Sequence, residues 1–250
     1  LSNIEARMLA WLASEHELLR SFKDGVDVYS NFASVIYDKP INKHDNPTER
    51  FVGKTAILGL GYGMGAEKFQ ATVKAAGITM DLDEAQRVVQ TYRTTYPGIS
   101  SFWKRATNLL EQTADPLCFI NKYACLEIGQ GKIILPNGMA LHYPNLQITP
   151  DEHTYLIAGK RQGTWGGRIT ENIVQALSRI VITDAMLRIE QELPELKIVL
   201  TVHDEIIALG PQEDAQRNMD ALIYAMCIQP KWAPALPLDA EGGFDVCYSK

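Results

Sequence analysis

The sequence predicts an α+β fold, in which a helical part is attached to an antiparallel sheet, and three observations support this prediction. Apolar residues recur at helical spacing through most of the first 114 residues. From residue 117 to about 163 the pattern changes to short β runs separated by glycines and by Pro136-Asn137-Gly138, which favours hairpins. The 250 residues are 46% hydrophobic, and no apolar run approaches the ~18 residues of a membrane span. We therefore expect a protein with a sizeable core and no transmembrane helix.

The helical part consists of six predicted helices, each bounded by local signals. The clearest start is Asn46-Pro47-Thr48-Glu49, with Asn as N-cap, Pro at the first helical position and Glu at the third. Asp81-x-x-Glu84 is a second start of this kind, and Gly77 ends the helix before it. The predicted helices cover residues 4–23, 28–37, 47–60, 66–76, 82–96 and 99–114. A long helix at 169–192, strands at 196–202 and 205–209, one more helix and an irregular tail at 234–250 complete the prediction.

Net charge and cysteine content argue against some classes of protein, such as one that coats nucleic acid without specificity. A formal net charge of −6 argues against a protein that coats nucleic acid without specificity. Between Lys39 and Lys74, however, basic residues outnumber acidic ones by six to three, which permits a local basic groove. The four cysteines have no metal-binding spacing, and the first residues do not resemble a signal peptide, as is typical of a cytoplasmic protein with reduced thiols.

A ridge of four side chains is predicted on the helix that begins at Pro47. Arg50, Lys54, Leu58 and Tyr62 are spaced by four residues, and each such step rotates about 40°, so they share one helix face. Two cations one turn apart suit a polyphosphate, and the flat groups beyond them suit a base. The dense glycines of residues 53–65 are unfavourable in a helix and indicate that some group approaches the backbone closely. A solvated cationic face that runs into buried residues is the alternative interpretation.

A predicted hairpin presents acidic residues at its tip. Apolar residues 196–202 lead directly into His203, Asp204 and Glu205 and then into a second strand. A carboxylate fixed by two strands suits a hard metal ion such as Mg²⁺. Since adjacent strand residues point to opposite faces, we expect Asp204 to bind the ion and to need a partner carboxylate from elsewhere. A polar turn without a function is the alternative.

A polar stripe follows one face of the long helix at 169–192. Arg168, Asn172, Gln175 and Arg179 recur at i, i+4, i+7 and i+11, while the neighbouring positions are apolar. Amide side chains can bind the acceptors that all base pairs present in the minor groove, so the stripe suits sequence-independent contact with duplex DNA. The solvated face of an amphipathic helix is an equally simple interpretation.

The glycine-rich segment also permits a different function. Gly61, Gly63 and Ala66 fit the G-x-G-x-x-A variant of the dinucleotide fingerprint, and Asp81 lies 20 residues beyond Gly61, near the spacing of a ribose-binding acid. This pattern would indicate an NAD-dependent oxidoreductase. Against it, the N-cap at Asn46 predicts a helix where the fingerprint needs a strand, and alternating β and α units do not follow.

Taken together, the motifs resemble the polymerase module of family A (Pol I-like) DNA polymerases, and the phage-type members in particular. Leu1-Ser2-Asn3-Ile4-Glu5-Ala6-Arg7 resembles motif A without its first residue, an aspartate. Arg50-x3-Lys54-x7-Tyr62-Gly63 resembles motif B, and Val202-His203-Asp204-Glu205 resembles motif C. The resemblance covers essentially the whole chain. It implies a right-hand polymerase fold, here incomplete, with the start of the palm at 1–20, the fingers at 21–130 and the palm at 131–250.

The resemblance implies template-directed transfer of a nucleotide to a primer 3′-OH by a two-metal mechanism, with primer–template DNA and deoxynucleoside triphosphates as partners. Asp204 would bind Mg²⁺, and Lys54 and Glu205 would be catalytic with it. The nucleotide would be bound by Arg50, Lys54, Leu58, Tyr62, Glu5 and Tyr29, and DNA by Arg7, Arg168, Asn172, Gln175 and His203. No membrane partner is implied, and the expected location is the cytoplasm of a bacterium or of a phage-infected host.

Three positions depart from the family pattern. The motif A aspartate would immediately precede Leu1, Leu58 stands where cellular members have Phe or Tyr, and Tyr29 stands where many relatives have His. Because the motif A aspartate, the thumb and any exonuclease domain of the family are not in the sequence, we expect the chain to be a fragment of a replicative enzyme. Because one aspartate cannot hold two divalent ions around a triphosphate, we also expect the isolated chain to be inactive.

Overall fold

The computed structural model describes residues 1–115 and 121–248, and its first half is helical. Seven helices precede the first strand: α1 (Ile4–Leu12), α2 (His16–Lys23), α3 (Val28–Tyr37), α4 (Pro47–Leu60), α5 (Ala66–Ala75), α6 (Leu82–Thr95) and α7 (Pro97–Thr113). Asn46 and Asp81 stand at the predicted N-cap positions. The Asp81 carboxylate accepts a hydrogen bond from the Glu84 N–H at 2.7 Å, whereas the Asn46 side chain makes no capping hydrogen bond. Gly77 has φ +83°, which is consistent with its predicted role of ending α5.

The predicted helix at 4–23 is wrong in one respect, because two helices occupy this segment. The chain turns between them, where Ser14 takes a left-handed conformation with φ 54°. The Glu15 carboxylate is buried and accepts a hydrogen bond from the Gly98 N–H at 2.8 Å, at the start of α7. A carboxylate at a helix N-terminus is favoured by the helix dipole, so the contact with α7 fixes the turn that separates α1 from α2.

Antiparallel strands form three small sheets, in agreement with the predicted fold class. The first contains β1 (Asn121–Tyr123), β2 (Leu126–Gly129), β3 (Lys132–Ile134) and β4 (Ala140–His142) in sequence order. The second contains β5 (Gln147–Ile148), β6 (His153–Ile157) and β7 (Lys160–Thr164). The domain boundary expected at residues 130 and 131 runs through the first sheet, where Gly129 of β2 pairs with Lys132 of β3.

The second half of the chain is built around one long helix, α8 (Gly166–Glu192). It packs against α1 and α7, and its apolar face is buried with theirs in a single core. A hairpin of β8 (Lys197–Val202) and β9 (Glu205–Leu209) lies beside it, followed by a short 3₁₀ helix and α9 (Ala215–Cys227). Within the described ranges, no helix is both long and apolar enough to cross a lipid bilayer.

Helices α3 and α4 pack with their backbones unusually close together. A Cβ on Gly53 of α4 would lie 2.2 Å from the Tyr29 carbonyl oxygen and 3.0 Å from the Ala33 Cβ, both on α3. Since nothing larger than glycine fits, Gly53 sets the distance between the two helices. This contact places Tyr29 beside the cationic side chains of α4.

Candidate functional site

A cleft of about 580 Å³ brings two residues of the predicted ridge together with the predicted hairpin tip, whereas Arg50 and Tyr62 are outside its lining. Lys54 and Leu58 of α4 line it on one side, and His203 and Asp204 line it on the other. Glu5, Tyr29 and Gln175 are also part of its lining. The segments that contribute these residues are far apart in sequence, and the fold brings them to one cavity.

The hairpin between β8 and β9 holds Asp204 at its tip. Val202 pairs with Glu205, so His203 and Asp204 form a two-residue turn, and His203 takes the positive φ (51°) that such a turn requires. The amino group of Leu1 donates a hydrogen bond to the Asp204 carbonyl oxygen at 2.7 Å. The segment that begins α1 is therefore in direct contact with the hairpin tip.

The two cations of the ridge differ in their surroundings. The Lys54 side chain is exposed to the cleft. Arg50 instead forms two hydrogen bonds with Asp27, from Nε to Oδ2 at 2.6 Å and from Nη2 to Oδ1 at 3.2 Å. Burial alone would raise the pKa of the Asp27 carboxyl, but the hydrogen bonds from Arg50 and Ser30 outweigh it and lower that pKa. Arg50 is thus held by a carboxylate rather than free in the cleft.

Tyr29 connects the ridge to the segment before α1. Its hydroxyl donates a hydrogen bond to Asn3 Oδ1 at 2.5 Å. The Arg50 guanidinium carbon lies 5.3 Å and the Lys54 Nζ 6.0 Å from the centre of its ring, close enough for cation–π attraction. Burial raises the pKa of Tyr29 to about 12, so the hydroxyl remains a hydrogen-bond donor at neutral pH.

Tyr62 makes a second connection to the same segment. Its hydroxyl donates a hydrogen bond to Glu5 Oε2 at 2.9 Å. Burial, with the Glu5 charge beside it, raises the pKa of Tyr62. Tyr62 lies just beyond α4, which ends at Leu60, so the four-residue spacing continues through a turn and not through the helix itself.

The glycines of residues 53–65 are explained mainly by contacts within the protein. A Cβ on Gly61 would lie 2.6 Å from a Leu9 methyl group, and one on Gly63 would lie 2.1 Å from the Trp165 ring. Gly63 also has φ +78°, which disfavours any other residue. The expected close approach to the backbone is therefore made by side chains of α1 and by the residue before α8.

The polar stripe of α8 reaches the cleft only in part. Gln175 and Arg179 line the cleft and are exposed. Asn172 lies one turn earlier, with its Nδ2 3.5 Å from the Tyr143 hydroxyl. Arg168 is exposed outside the cleft lining and donates to the Gly163 carbonyl oxygen at 2.8 Å. The stripe therefore leads from the hairpins at 121–164 towards the cleft.

Arg7 does not occupy the position expected of a DNA contact. Only 4% of its surface is exposed. Its guanidinium donates to the Ser2 carbonyl oxygen at 2.8 Å and to Asp239 Oδ2 at 3.2 Å, and lies over the Phe22 ring. Burial lowers the pKa of Arg7, partly offset by Asp239. Arg7 therefore joins the segment before α1 to the C-terminal tail.

The described residues include no cluster of three or more His, Cys, Asp or Glu side chains that could hold a metal ion. Asp204 lies in the cleft lining as one half-buried carboxylate. Glu205 Oε2 accepts a hydrogen bond from the Tyr248 hydroxyl at 3.2 Å, and Glu205 is outside the cleft lining. Among the described residues, the carboxylates in the cleft lining are those of Asp204 and Glu5.

Sequence reasoning missed several side chains at the cleft. Asn3 and Asp27, which bind Tyr29 and Arg50, were not predicted, and neither were Ser178 and Ile182 of the cleft lining. Asp27 had a signal that could have been used, since it stands one residue before the predicted helix at 28–37, in the position of an N-cap. The other residues have none, because only the tertiary fold places them there.

Comparisons with known proteins identify relatives over the whole chain. The sequence model of the DNA polymerase A family, described as "DNA polymerase family A", matches residues 1–248. The DNA polymerase of Bacillus phage SP02 is 30% identical over 267 aligned residues, which cover 100% of this chain and 40% of that protein. The thermostable DNA polymerase I of Thermus thermophilus is 26% identical, with 97% of this chain and 25% of that protein covered. The chain thus spans less than half the length of these relatives.

A solved structure has the same fold. The chain is similar to the POL domain of Pol1 from M. smegmatis, solved in complex with DNA primer–template and dNTP, with a TM-score of 0.70 and 19% identity. The match covers 95% of this chain and 37% of that one. The dinucleotide-binding alternative is not favoured, because helix α4 occupies the place where the fingerprint requires a strand.

Proposed function

Because this chain belongs to DNA polymerase family A, we propose that it forms the nucleotide-binding part of a template-directed DNA polymerase. The reaction is nucleotidyl transfer from a deoxynucleoside triphosphate to a primer 3′-OH. One observation carries the proposal: Lys54, Leu58 and Asp204 line the same cleft although they come from α4 and from the β8–β9 turn. A cation, an apolar platform and a carboxylate in one cavity suit a triphosphate, its base and a metal ion.

In this proposal the triphosphate lies along α4. Lys54 binds its phosphates and donates a proton to the pyrophosphate leaving group. Arg50 provides a second positive charge when it releases Asp27 and binds phosphate oxygens instead. Leu58, with 39% of its surface exposed, packs against the base. Tyr62 lies at the insertion site, where its hydrogen bond to Glu5 forms a barrier against a ribose 2′-OH. Tyr29 keeps both cations beside its ring.

We propose that Asp204 is a ligand of Mg²⁺, with Glu205 as a supporting acid. When bound, the ion would offset the charge of the triphosphate and polarise the phosphorus that is attacked. Mg²⁺ is bound by one or two carboxylates together with substrate phosphates, so two ions at one triphosphate need more ligands than Asp204 alone. We propose that a second carboxylate completes the site near Leu1, whose nitrogen lies 2.7 Å from the Asp204 carbonyl oxygen. This chain alone should then be inactive.

The stripe on α8 is proposed to bind the primer–template duplex. Gln175 and Arg179 are exposed in the cleft, and Asn172 and Arg168 extend the stripe away from it. His203 at the hairpin tip would lie beside the primer end. Arg7, which is buried, would support the segment that carries Asn3 and Glu5 and would not contact DNA. Residues 21–130 would belong to the fingers, and residues 131–250, with α8 and the β8–β9 hairpin, would belong to the palm.

A titration with deoxynucleotide tests the nucleotide site without requiring activity. We expect a deoxynucleoside triphosphate with Mg²⁺ to strengthen binding of the chain to primer–template, measured by fluorescence anisotropy. Lys54→Gln should weaken this effect by roughly tenfold or more, the value of about 1.5–3 kcal/mol for a charged hydrogen bond. Lys231→Gln, another exposed cation outside the cleft, is the matched control. NAD binding without any response to deoxynucleotide would overturn the proposal in favour of a dinucleotide site. Binding of DNA that ignores both nucleotides would indicate a non-catalytic module.

A second experiment tests the metal site. A chain with Asp joined before Leu1 should gain primer extension relative to one with Asn joined there, because only Asp adds a negative ligand. Asp204→Asn in the Asp-extended chain should abolish extension while leaving DNA binding largely intact, and Asp151→Asn on an exposed loop should change neither. Extension that persists in the Asp204→Asn variant would remove Asp204 from the proposed metal site.

A further inference from the structure

A basic pocket lies on α7, separate from the cleft. Its volume is about 490 Å³, and its floor and walls are formed by one face of α7 and by the first strand of the hairpins. The polar and charged lining residues are Ser101, Lys104, Arg105, Asn108, Gln112 and Lys122. The described lining contains three cations and no carboxylate, in a chain whose net charge is −6. Such a local excess of positive charge is typical of a surface that binds an anion.

Arg105 is oriented by an aromatic side chain. Its guanidinium carbon lies 4.9 Å from the centre of the Tyr123 ring. The ring itself is fixed, because the Tyr123 hydroxyl donates to the Leu12 carbonyl oxygen at 2.9 Å and Phe102 stacks on it at 5.8 Å between centroids. A guanidinium held in this way keeps its planar set of N–H donors available for an anion. Arg105 is therefore organised before any ligand arrives.

Two of the three cations of the pocket, Lys104 and Arg105, form no ion pair with a described carboxylate. Throughout residues 1–115 and 121–248, no carboxylate forms an ion pair with Lys104 or Arg105. Lys122 is different, since it pairs with Glu127 at 2.8 Å. Lys104 and Arg105 are thus two adjacent cations without an ion-pair partner in the described ranges, and the Asn108 amide lies beside them in the lining. Such groups bind phosphate oxygens in nucleic-acid backbones.

The pocket lies across α7 from the end of the nucleotide-binding ridge. Trp103, the residue before Lys104, donates its Nε1–H to the Gly61 carbonyl oxygen at 2.8 Å. An α-helix with its side chains is about 10–12 Å wide. A strand that leaves the neighbourhood of Tyr62 can therefore reach the pocket within a few nucleotides by passing around α7.

From these observations we infer that the pocket on α7 binds the phosphate backbone of the unpaired template strand, before that strand enters the cleft. Lys104 and Arg105 are its principal contacts. Phe102 and Arg105 already occupy the Tyr123 ring, so recognition would act through phosphates and not through stacked bases. This inference rests on the proposed function, because it assumes that a template strand passes Tyr62.

The test compares two primer–templates that differ only in the length of the unpaired template. One has a single-nucleotide overhang and the other an overhang of roughly twelve nucleotides, a length within the site sizes of proteins that bind single strands. Binding is measured by anisotropy over a range of salt concentrations, with Lys104→Gln/Arg105→Gln and, as a charge-matched control, Arg217→Gln/Lys231→Gln. Both control cations are exposed and outside the pocket. Thermal unfolding by circular dichroism checks that all variants fold.

We expect the long overhang to strengthen binding to the unchanged chain and to the control, and this gain to be lost in the pocket variant. Two phosphate contacts to a single strand add about 1.4 to the slope with which log affinity falls against log salt concentration. Between roughly 50 and 200 mM salt, the affinity gained from the long overhang should therefore fall by a further sevenfold or so in proteins with an intact pocket, and not in the pocket variant. Equal loss with both DNAs, or no loss with either, would overturn the inference. Binding of polyglutamate in place of DNA would assign the pocket to an acidic protein segment and overturn it as well.

The two proposals fail in distinguishable ways. If the unchanged chain binds the single-nucleotide template with a response to deoxynucleotide but gains nothing from the overhang, only the pocket inference is overturned. If no primer–template is bound with such a response, the proposed function fails and the pocket inference fails with it.

Discussion

Gly63 beside Tyr62 offers the sharpest test of how the site is built. In Gly63→Ala the new Cβ would lie 2.1 Å and 2.7 Å from two carbons of the Trp165 ring, distances at which something must move. Gly63 also has φ +78°. A left-handed conformation costs an alanine roughly 1–2 kcal/mol, and overpacking against a large ring costs about 1–3 kcal/mol. Together these terms predict that the substitution lowers the free energy of unfolding by about 2–5 kcal/mol.

Gly65, two residues later, is the matched control. A Cβ at this position would have no other atom within 4 Å, and the residue has φ −85°. Gly65→Ala should change stability by no more than about 0.5 kcal/mol, because the reduced freedom of the unfolded chain offsets a slightly poorer N-cap. Both substitutions add the same methyl group, so the difference between them isolates the contact with Trp165 and the backbone conformation.

Urea unfolding followed by circular dichroism measures the difference. With a slope of about 2–3 kcal/mol per M, a loss of about 3 kcal/mol lowers the midpoint by roughly 1–1.5 M. The Gly65→Ala midpoint should stay close to that of the unchanged chain. Equal midpoints for the two variants would refute the reasoning, because they would mean that Trp165 and the residue 63 backbone tolerate the added group.

Two further predictions concern the hydrogen bonds of the ridge. Folding lowers the pKa of Asp27, so its ionised carboxylate stabilises the chain fully above the unfolded pKa near 3.9, and this stabilisation is lost as the pH falls through the lower folded pKa. Asp27→Asn should therefore destabilise the chain at pH 7 and progressively less below about pH 4. An equal loss of stability at every pH would contradict the ion pair with Arg50. Tyr62→Phe removes the donor to the Glu5 carboxylate, which should lower the free energy of unfolding by about 1.5–3 kcal/mol and reduce discrimination against ribonucleotides in the extension assay of the Asp-extended chain. Tyr224→Phe, on an exposed tyrosine, is its control.

Local signals in the sequence were enough to predict most of the secondary structure. Asn46-Pro47 and Asp81 mark helix starts because capping depends on the residue itself and its immediate neighbours. The break near Ser14 could not be predicted this way, because Glu15 is bound by the Gly98 N–H, 83 residues away. The apolar spacing of residues 4–23 continues across the break, so periodicity alone describes one helix.

The candidate site could be predicted in part for the same reason. Lys54 and Asp204 stand out because their motifs are contiguous, and the structure brings them to one cleft. The burial of Arg7 could not be predicted, because nothing in the motif indicates that Asp239 and the Ser2 carbonyl oxygen bind its guanidinium. The N-cap position of Asp27 can be read from the sequence, but its ion pair with Arg50 cannot, because α3 and α4 are brought together by packing rather than by sequence proximity.

The close packing at Gly53 determines how the cleft can change shape. Because the backbones of α3 and α4 are in contact at Gly53, neither helix can slide past the other without a steric clash. We therefore expect the two helices to move as one rigid body, with Tyr29 and Lys54 moving together. Widening the cavity would then separate this piece from the start of α1 and break the links from Tyr29 to Asn3 and from Tyr62 to Glu5. At about 1–3 kcal/mol each, such bonds are weak enough to break and form again as the cavity opens and closes.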